Sequence, residues 1–364
     1  MSFYMPTNIY SGENCVLKNA SLFKHSGKKA LIVTGKTSAK FSGALDDVIY
    51  ALKENNISYS IFDKVLNNPT VENCYEGGKF AKETNADFIV AIGGGSPLDA
   101  AKAISMYAAN NLSPMQIFDG EQKNKPFPII AIPTTAGTGS EVTQYSVLTV
   151  DSKETKVSFS TNDTFMKIAF LDAKYTLSLP MSTTIDTAVD ALSHALESIL
   201  NNRTNVFSEL YAKEALKLWG KALPSLLEGN LSFHDRENLL LASTYAGVSI
   251  AQTGTTIVHS MGYPLTYYKS LTHGNANGVL LSAFVEHCDK INHNLVTELL
   301  GYLGLNSILE FDKILNQLMP DRKIITDDEA KLFASKAIKA KNVVSCPWDV
   351  TEEDEYKIFL KLLK

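Results

Sequence analysis

The sequence predicts an α/β N-terminal half followed by an all-helical C-terminal half, and three observations carry that prediction. Short runs rich in Val, Ile and Phe recur through the first half, with helix-compatible segments between them. After about Leu179 the texture changes to long stretches that favour helix, with little β-branched alternation. A chain of 364 residues also exceeds what one hydrophobic core ordinarily serves. The division falls near Pro180, giving domains of residues 1–179 and 180–364.

In the first half, Lys28–Gly35, Ser58–Val65, Asp87–Gly94 and Pro128–Thr135 read as strands. Gly77–Thr84 and Leu98–Ala109 read as helices between them, and that alternation predicts parallel strands with crossover helices. Val147–Val150 and Ile168–Asp172 read as strands that close this half. In the second half Ile185–Leu200, Asn205–Leu218, Arg236–Gly262 and Ala276–Asn292 read as helices. A cleft between two such halves is a usual place for a ligand.

Composition narrows the function classes. Hydrophobic residues make up 45% and charged residues 20%, as in an ordinary soluble globular protein. The net charge of -5 and the scattered basic residues argue against nucleic acid or an anionic membrane as partner. The N-terminus "MSFYMPTNIY" has neither the basic flank nor the apolar core of a signal peptide, and no segment approaches the roughly 18 apolar residues of a membrane span. Cys15, Cys74, Cys288 and Cys346 stand far apart without CxxC pairing, which predicts buried thiols in a reducing cytoplasm.

The stretch "FIVAIGGGSPLDAAKAI" sets Gly93, Gly94 and Gly95 directly after an apolar strand. Ser96 then falls at a helix N-cap, Pro97 at the first helical position and Asp99 at the third. Bare backbone and a helix start suit a phosphate or pyrophosphate. The usual dinucleotide fingerprint needs a further glycine where Leu98 stands, so a tight structural turn is the competing reading. Its place at a strand's carboxyl end favours a ligand. The next strand ends in "IPTTAGTGSEVT", whose Thr134, Thr135, Thr138 and Ser140 offer hydroxyls to phosphate, ribose or nicotinamide.

"VDALSHALE" places Asp190 and His194 at i and i+4, on one helical face nearly opposite the apolar stripe. Taken alone, such a pair is a solvated polar face. His259, at the end of a long apolar helix, and His273, at a glycine turn, add two imidazoles. One carboxylate and three imidazoles suit a divalent metal, with Fe²⁺ and Zn²⁺ both compatible by ligand type.

Together, "AIGGGSPLDAAKAI", "IPTTAGTGSEVT", "VDALSHALE" and "HSMGYPL" followed by "HGNANGVLL" resemble the iron-containing, or group III, alcohol dehydrogenase family over nearly the whole chain. The likeness looks closest to NADPH-dependent butanol and 1,3-propanediol dehydrogenases. It implies a dehydroquinate synthase-like fold: an N-terminal nucleotide-binding domain, an all-helical C-terminal domain, and an active site between them. By motif, Asp190, His194, His259 and His273 match the family's metal ligands. Gly94, Gly95 and Ser96 match its pyrophosphate contacts, with Asp99 in the same helix start. Thr134, Thr135 and Thr138 match contacts on the nicotinamide side, and Asn68, Val147 and Lys156 fall where the family has further cofactor contacts. A cytoplasmic homodimer acting on small alcohols and aldehydes is the family expectation.

Two departures from the family pattern bear on mechanism. NAD-preferring members carry an Asp soon after the first strand, where this chain has Gly35. Without that carboxylate a 2′-phosphate meets no repulsion, and Lys36, Ser38 and Lys40 offer donors, so NADP(H) is expected over NAD(H). Tyr263 stands four residues after His259, where some relatives have another histidine proposed in proton transfer. A phosphorylated-polyol dehydrogenase or a dehydroquinate synthase-like lyase is the alternative on the same fold. Both call for basic residues near the metal motifs, and His259–Gly278 offers only Lys269.

Overall fold

The computed structural model describes residues 2–120, 122–320 and 325–363. The chain divides into two compact units. One comprises Met5–Thr135 and Gly139–Leu179; the other comprises Met1–Tyr4, Ala136–Thr138 and Pro180–Lys364.

The first unit is built on β1 (Asn8–Ser11), β2 (Lys29–Thr34), β3 (Ser58–Phe62), β4 (Phe88–Gly93), β5 (Ile129–Pro133) and β8 (Ile168–Leu171). These form one sheet in the order β1-β8-β5-β4-β2-β3, and every neighbouring pair is parallel. Parallel sheets bury both faces, which explains why β4 and β5 read as continuous apolar runs. Every residue of both strands is buried. The edge strand β1, "NIYS", is short and mostly exposed, so its sequence carries no apolar signal. The crossover helices Ala44–Glu54, Val71–Glu83 and Gly95–Ala109 complete the layers.

The segment expected to close this half as a strand behaves differently. β6 (Ser146–Val150) stands outside the main sheet and pairs antiparallel with β7 (Thr155–Phe159) as a separate hairpin. Its alternating burial, with every second residue buried, fits a two-stranded element covered on one face.

The second unit is helical. Its main helices are Met181–Ile199, Val206–Glu228, Phe233–Thr253, Ile257–Lys269 and His273–Ile291. The span Arg236–Gly262, expected as one helix, is two. The chain breaks at Gly254, whose φ of 72° no ordinary helix residue adopts, and restarts after Thr256. Among the described residues no helix is long and apolar enough to cross a membrane. All four cysteines are free and buried, and burial pushes the thiols of Cys15 and Cys346 up to about 12.

Candidate metal and dinucleotide sites

In the helical unit, Asp190 and His194 occupy the Met181–Ile199 helix. The face they share is not solvated: they are only 2% and 4% exposed. The helix is sheathed by its neighbours along this stretch, so position opposite the apolar stripe did not mean water. His259 lies in the first turn of Ile257–Lys269 rather than at the end of a long helix, because of the break at Gly254. His273 is the first residue of His273–Ile291 rather than part of a turn. The start of the His273–Ile291 helix is aimed by its surroundings. A Cβ on Gly274 would stand 1.9 Å from the Asp186 carbonyl, so only glycine lets this helix start so close. Thr272 Oγ1, at its N-cap, donates to Asp186 Oδ1 at 2.5 Å.

The four side chains converge. Asp190, His259 and His273 offer ligand atoms that all lie within 4.8 Å of one another. His259 Nε2 and His273 Nε2 stand 3.8 and 3.7 Å from Asp190 Oδ1. His194 Nε2 is 4.0 Å from the same oxygen and 2.9 Å from His259 Nε2.

The tautomers follow from the acceptors behind each ring. His194 Nδ1 faces the Gly137 carbonyl at 3.3 Å, and a carbonyl only accepts, so Nδ1 carries the proton. His259 Nδ1 lies 2.5 Å from Glu197 Oε2, another acceptor. Both Nε2 atoms therefore present lone pairs toward each other and toward a carboxylate. Burial pushes the His194 ring down in pKa. Burial pushes the Asp190 carboxyl up, but the His194, His273 and His259 rings and the Asn277 amide outweigh it and hold it at about 2. Two imidazole lone pairs set against each other beside an ionised carboxylate are the donor set of a divalent cation. The residues fit such an ion.

In the α/β unit, Gly35, Gly94 and Thr134 directly follow the carboxyl ends of β2, β4 and β5. Gly93 has φ of 151°, and a Cβ there would strike Pro97 at 2.5 Å. A Cβ on Gly94 would strike Thr135 Oγ1 at 2.9 Å. Tight packing of the turn thus accounts for two of the glycines. The helix begins at Gly95, earlier than expected, with Gly94 rather than Ser96 as N-cap. The glycines let the chain enter the helix before Ser96, whose hydroxyl instead accepts from Asn68 N–H at 3.2 Å. That helix has no side-chain cap and no acidic residue in its first turn.

The remaining candidates fall into groups. Asn68 Oδ1 accepts from Lys156 Nζ at 2.8 Å, and Asp99 Oδ2 accepts from Val147 N–H at 3.0 Å. Asn68, Ser96 and Lys156 are thereby brought together, as are Asp99 and Val147. Thr134 is buried, and its hydroxyl finds no hydrogen-bond partner among the described residues. Gly35, Lys36 and Ser38 form a separate group after β2, and Lys36 and Lys40 are exposed. Thr138 packs with the helical unit, unlike Thr134 and Thr135.

Sequence reasoning missed three residues. Lys102 is fully buried, donating to Ser140 Oγ at 2.8 Å, Thr143 Oγ1 at 3.3 Å and the Tyr145 carbonyl at 2.6 Å. A lysine inside "DAAKAI" was the available signal. Glu197 stands three residues after His194 on the same helical face. Asn277, four residues after His273, donates from Nδ2 to Asp190 Oδ1 at 2.9 Å.

A parallel sheet with an uncapped, glycine-led helix start, in one chain with a helical unit carrying a carboxylate–imidazole cluster, suits a protein of the nucleotide- and metal-binding class. Comparison with known proteins specifies it. Residues 6–173 match the iron-containing alcohol dehydrogenase model, and residues 184–363 match the C-terminal model of the same family. The chain belongs to the iron-containing alcohol dehydrogenase family. A solved iron-containing alcohol dehydrogenase from Thermotoga maritima is 38% identical, with a TM-score of 0.91 over 99% of both chains. An NADPH-dependent butanol dehydrogenase of Clostridium saccharobutylicum is 28% identical over 99% of this chain and 97% of its own. An NAD-dependent methanol dehydrogenase of Bacillus methanolicus is 32% identical over 76% of this chain and 73% of its own.

Proposed function

We propose that the chain transfers hydride between NADP(H) and a small primary alcohol or aldehyde of the butanol kind. In this reading residues 1–179 hold the dinucleotide, and residues 180–364 hold a divalent cation on Asp190, His194, His259 and His273. The observation that carries it is the convergence of those four side chains, with His194 Nε2 and His259 Nε2 2.9 Å apart. A bound Fe²⁺ or Zn²⁺ supplies Lewis acidity toward the substrate oxygen, and the nicotinamide supplies the hydride chemistry.

The chain's own residues do the rest. Asp190, buried and ionised, sets a negative charge among the rings. Gly137 and Glu197 keep the protons of His194 and His259 on Nδ1. The uncapped start of the Gly95–Ala109 helix offers N–H groups and partial positive charge to a pyrophosphate.

Support for NADP(H) comes from Gly35. A Cβ there would meet nothing closer than Ser38 Oγ at 3.8 Å and the Val65 carbonyl at 3.9 Å. Packing therefore leaves room for a side chain here, and the chain places no carboxylate in it. Against the alternative of a phosphorylated substrate, Lys269 is already engaged with Glu329 at 2.6 Å.

The test is metal stripping, anaerobic reconstitution with Fe²⁺ or Zn²⁺, and an aldehyde panel with NADPH and NADH. Metal-dependent oxidation of NADPH with butanal is expected. Full turnover by metal-free protein would overturn the metal reading, and a clear NADH preference would overturn the coenzyme reading.

A further inference from the structure

Glu197 is fully buried in the Met181–Ile199 helix, and three contacts surround its carboxylate. Oε1 accepts from Thr256 N–H at 2.8 Å and from Thr256 Oγ1 at 2.8 Å. Oε2 faces His259 Nδ1 at 2.5 Å. A backbone N–H can only donate, so Oε1 is an acceptor. The other oxygen of that group is the one that meets the ring, and the far edge of the imidazole decides where the shared proton sits. On the other side of the ring, Asn277 Nδ2, an amide donor, lies 3.1 Å from His259 Nε2. That nitrogen therefore accepts. The ring proton of His259 is therefore on Nδ1, where Glu197 Oε2 accepts it.

We propose, resting on the metal-site reading above, that Glu197 is a positioning residue of that site. It fixes the His259 ring in the Nδ1–H form and aims the bare Nε2 toward Asp190 and His194. Carboxylate partners behind ligating histidines orient the ring and raise its basicity, and their loss weakens metal affinity by roughly 10–100-fold. The competing role is purely structural. Thr256 is the N-cap of the Ile257–Lys269 helix, and Glu197 ties that helix start to its neighbour.

The experiment uses the full chain stripped of metal and separates the two roles. First, imidazole ¹⁵N shifts of the wild-type protein report which nitrogen of His259 is protonated. Nδ1–H is expected, and Nε2–H would overturn the proposal whatever any variant does. Second, Co²⁺ affinity is measured from the ligand-field absorption of the titrated protein, with unfolding followed in parallel. Glu197→Gln is expected to weaken Co²⁺ binding by roughly 10–100-fold while the stripped protein stays folded. Thr256→Val removes only one donor to Oε1 and leaves the His259 contact, so its affinity is expected to stay within about threefold of wild type. Equal loss in both variants, or unchanged affinity in Glu197→Gln, would overturn the proposal in favour of the structural role. A wild-type protein that binds no Co²⁺ would sink the metal reading instead, and the ¹⁵N measurement would still decide the tautomer.

Discussion

In the α/β unit Lys102 buries an ammonium, whereas in the helical unit Asp190 and Glu197 bury two carboxylates beside three imidazoles. The lysine is closed on itself: Ser140, Thr143 and the Tyr145 carbonyl accept its hydrogen bonds, and Asp99 lies 3.8 Å away. Burial lowers its pKa to about 8, with Asp99 and Glu141 opposing. Its ligand is the protein. The Asp190 cluster points its lone pairs inward at one another, which an ion relieves. A buried polar cluster whose donors and acceptors match is architecture, and one that sets unprotonated ring nitrogens against each other and a carboxylate is a site.

Four outcomes break or sharpen that contrast, in decreasing size. His194→Ala or His273→Ala should lose bound metal and at least about 10³-fold in turnover, on the order of 4 kcal/mol. Metal analysis and steady-state rates check this, and a fully loaded variant would refute the cluster as the metal's seat. Lys102→Met strands Asp99 and three acceptors, so unfolding should lose about 3 kcal/mol. Metal content per folded chain should not change; denaturant titration with metal analysis tests both, and a stable variant would show the lysine is not structural.

Gly35→Asp should shift the ratio of kcat/KM for NADPH over NADH by roughly 10–100-fold toward NADH, about 1.4–2.7 kcal/mol. An unchanged ratio would remove Gly35 from coenzyme selection.

Over the single unit from pH 6 to 7, Glu355 gives the smallest effect and the sharpest foil. It is fully buried in the helical unit, and its oxygens have no hydrogen-bond partner among the described residues. Burial, with Glu352 and Asp354 nearby, pushes it from 4.5 up to about 8. The folded state then holds an extra proton between those values. Stability falls as pH rises through that window, by about 1.4 kcal/mol per unit. Glu355→Gln should flatten the slope between pH 6 and 7 in urea titrations, and an equally steep slope would place the titration elsewhere. Asp190 and Glu197, in the same unit, go the other way because rings and hydroxyls outweigh their burial.

Much of the fold was legible because both faces of a parallel sheet are buried. β2, β4 and β5 announced themselves as apolar runs. β1 did not, since an edge strand needs no apolar face, and β6 misled because alternation cannot say which sheet a strand joins. The helix break at Gly254 depended on a positive φ that a lone glycine permits without demanding.

Residue chemistry was determined by the sequence alone: which side chains can ligate, which turn is bare, and where a carboxylate is missing at Gly35. Only tertiary structure decided that residues as far apart as Asp190 and His273 meet, and that their helical face is dry. It also decided that Glu197 and Lys102 hold their neighbours in place. Ligating ability is local and travels with the residue type. Convergence, burial and tautomer are properties of the surroundings, and the surroundings come from elements distant in the chain.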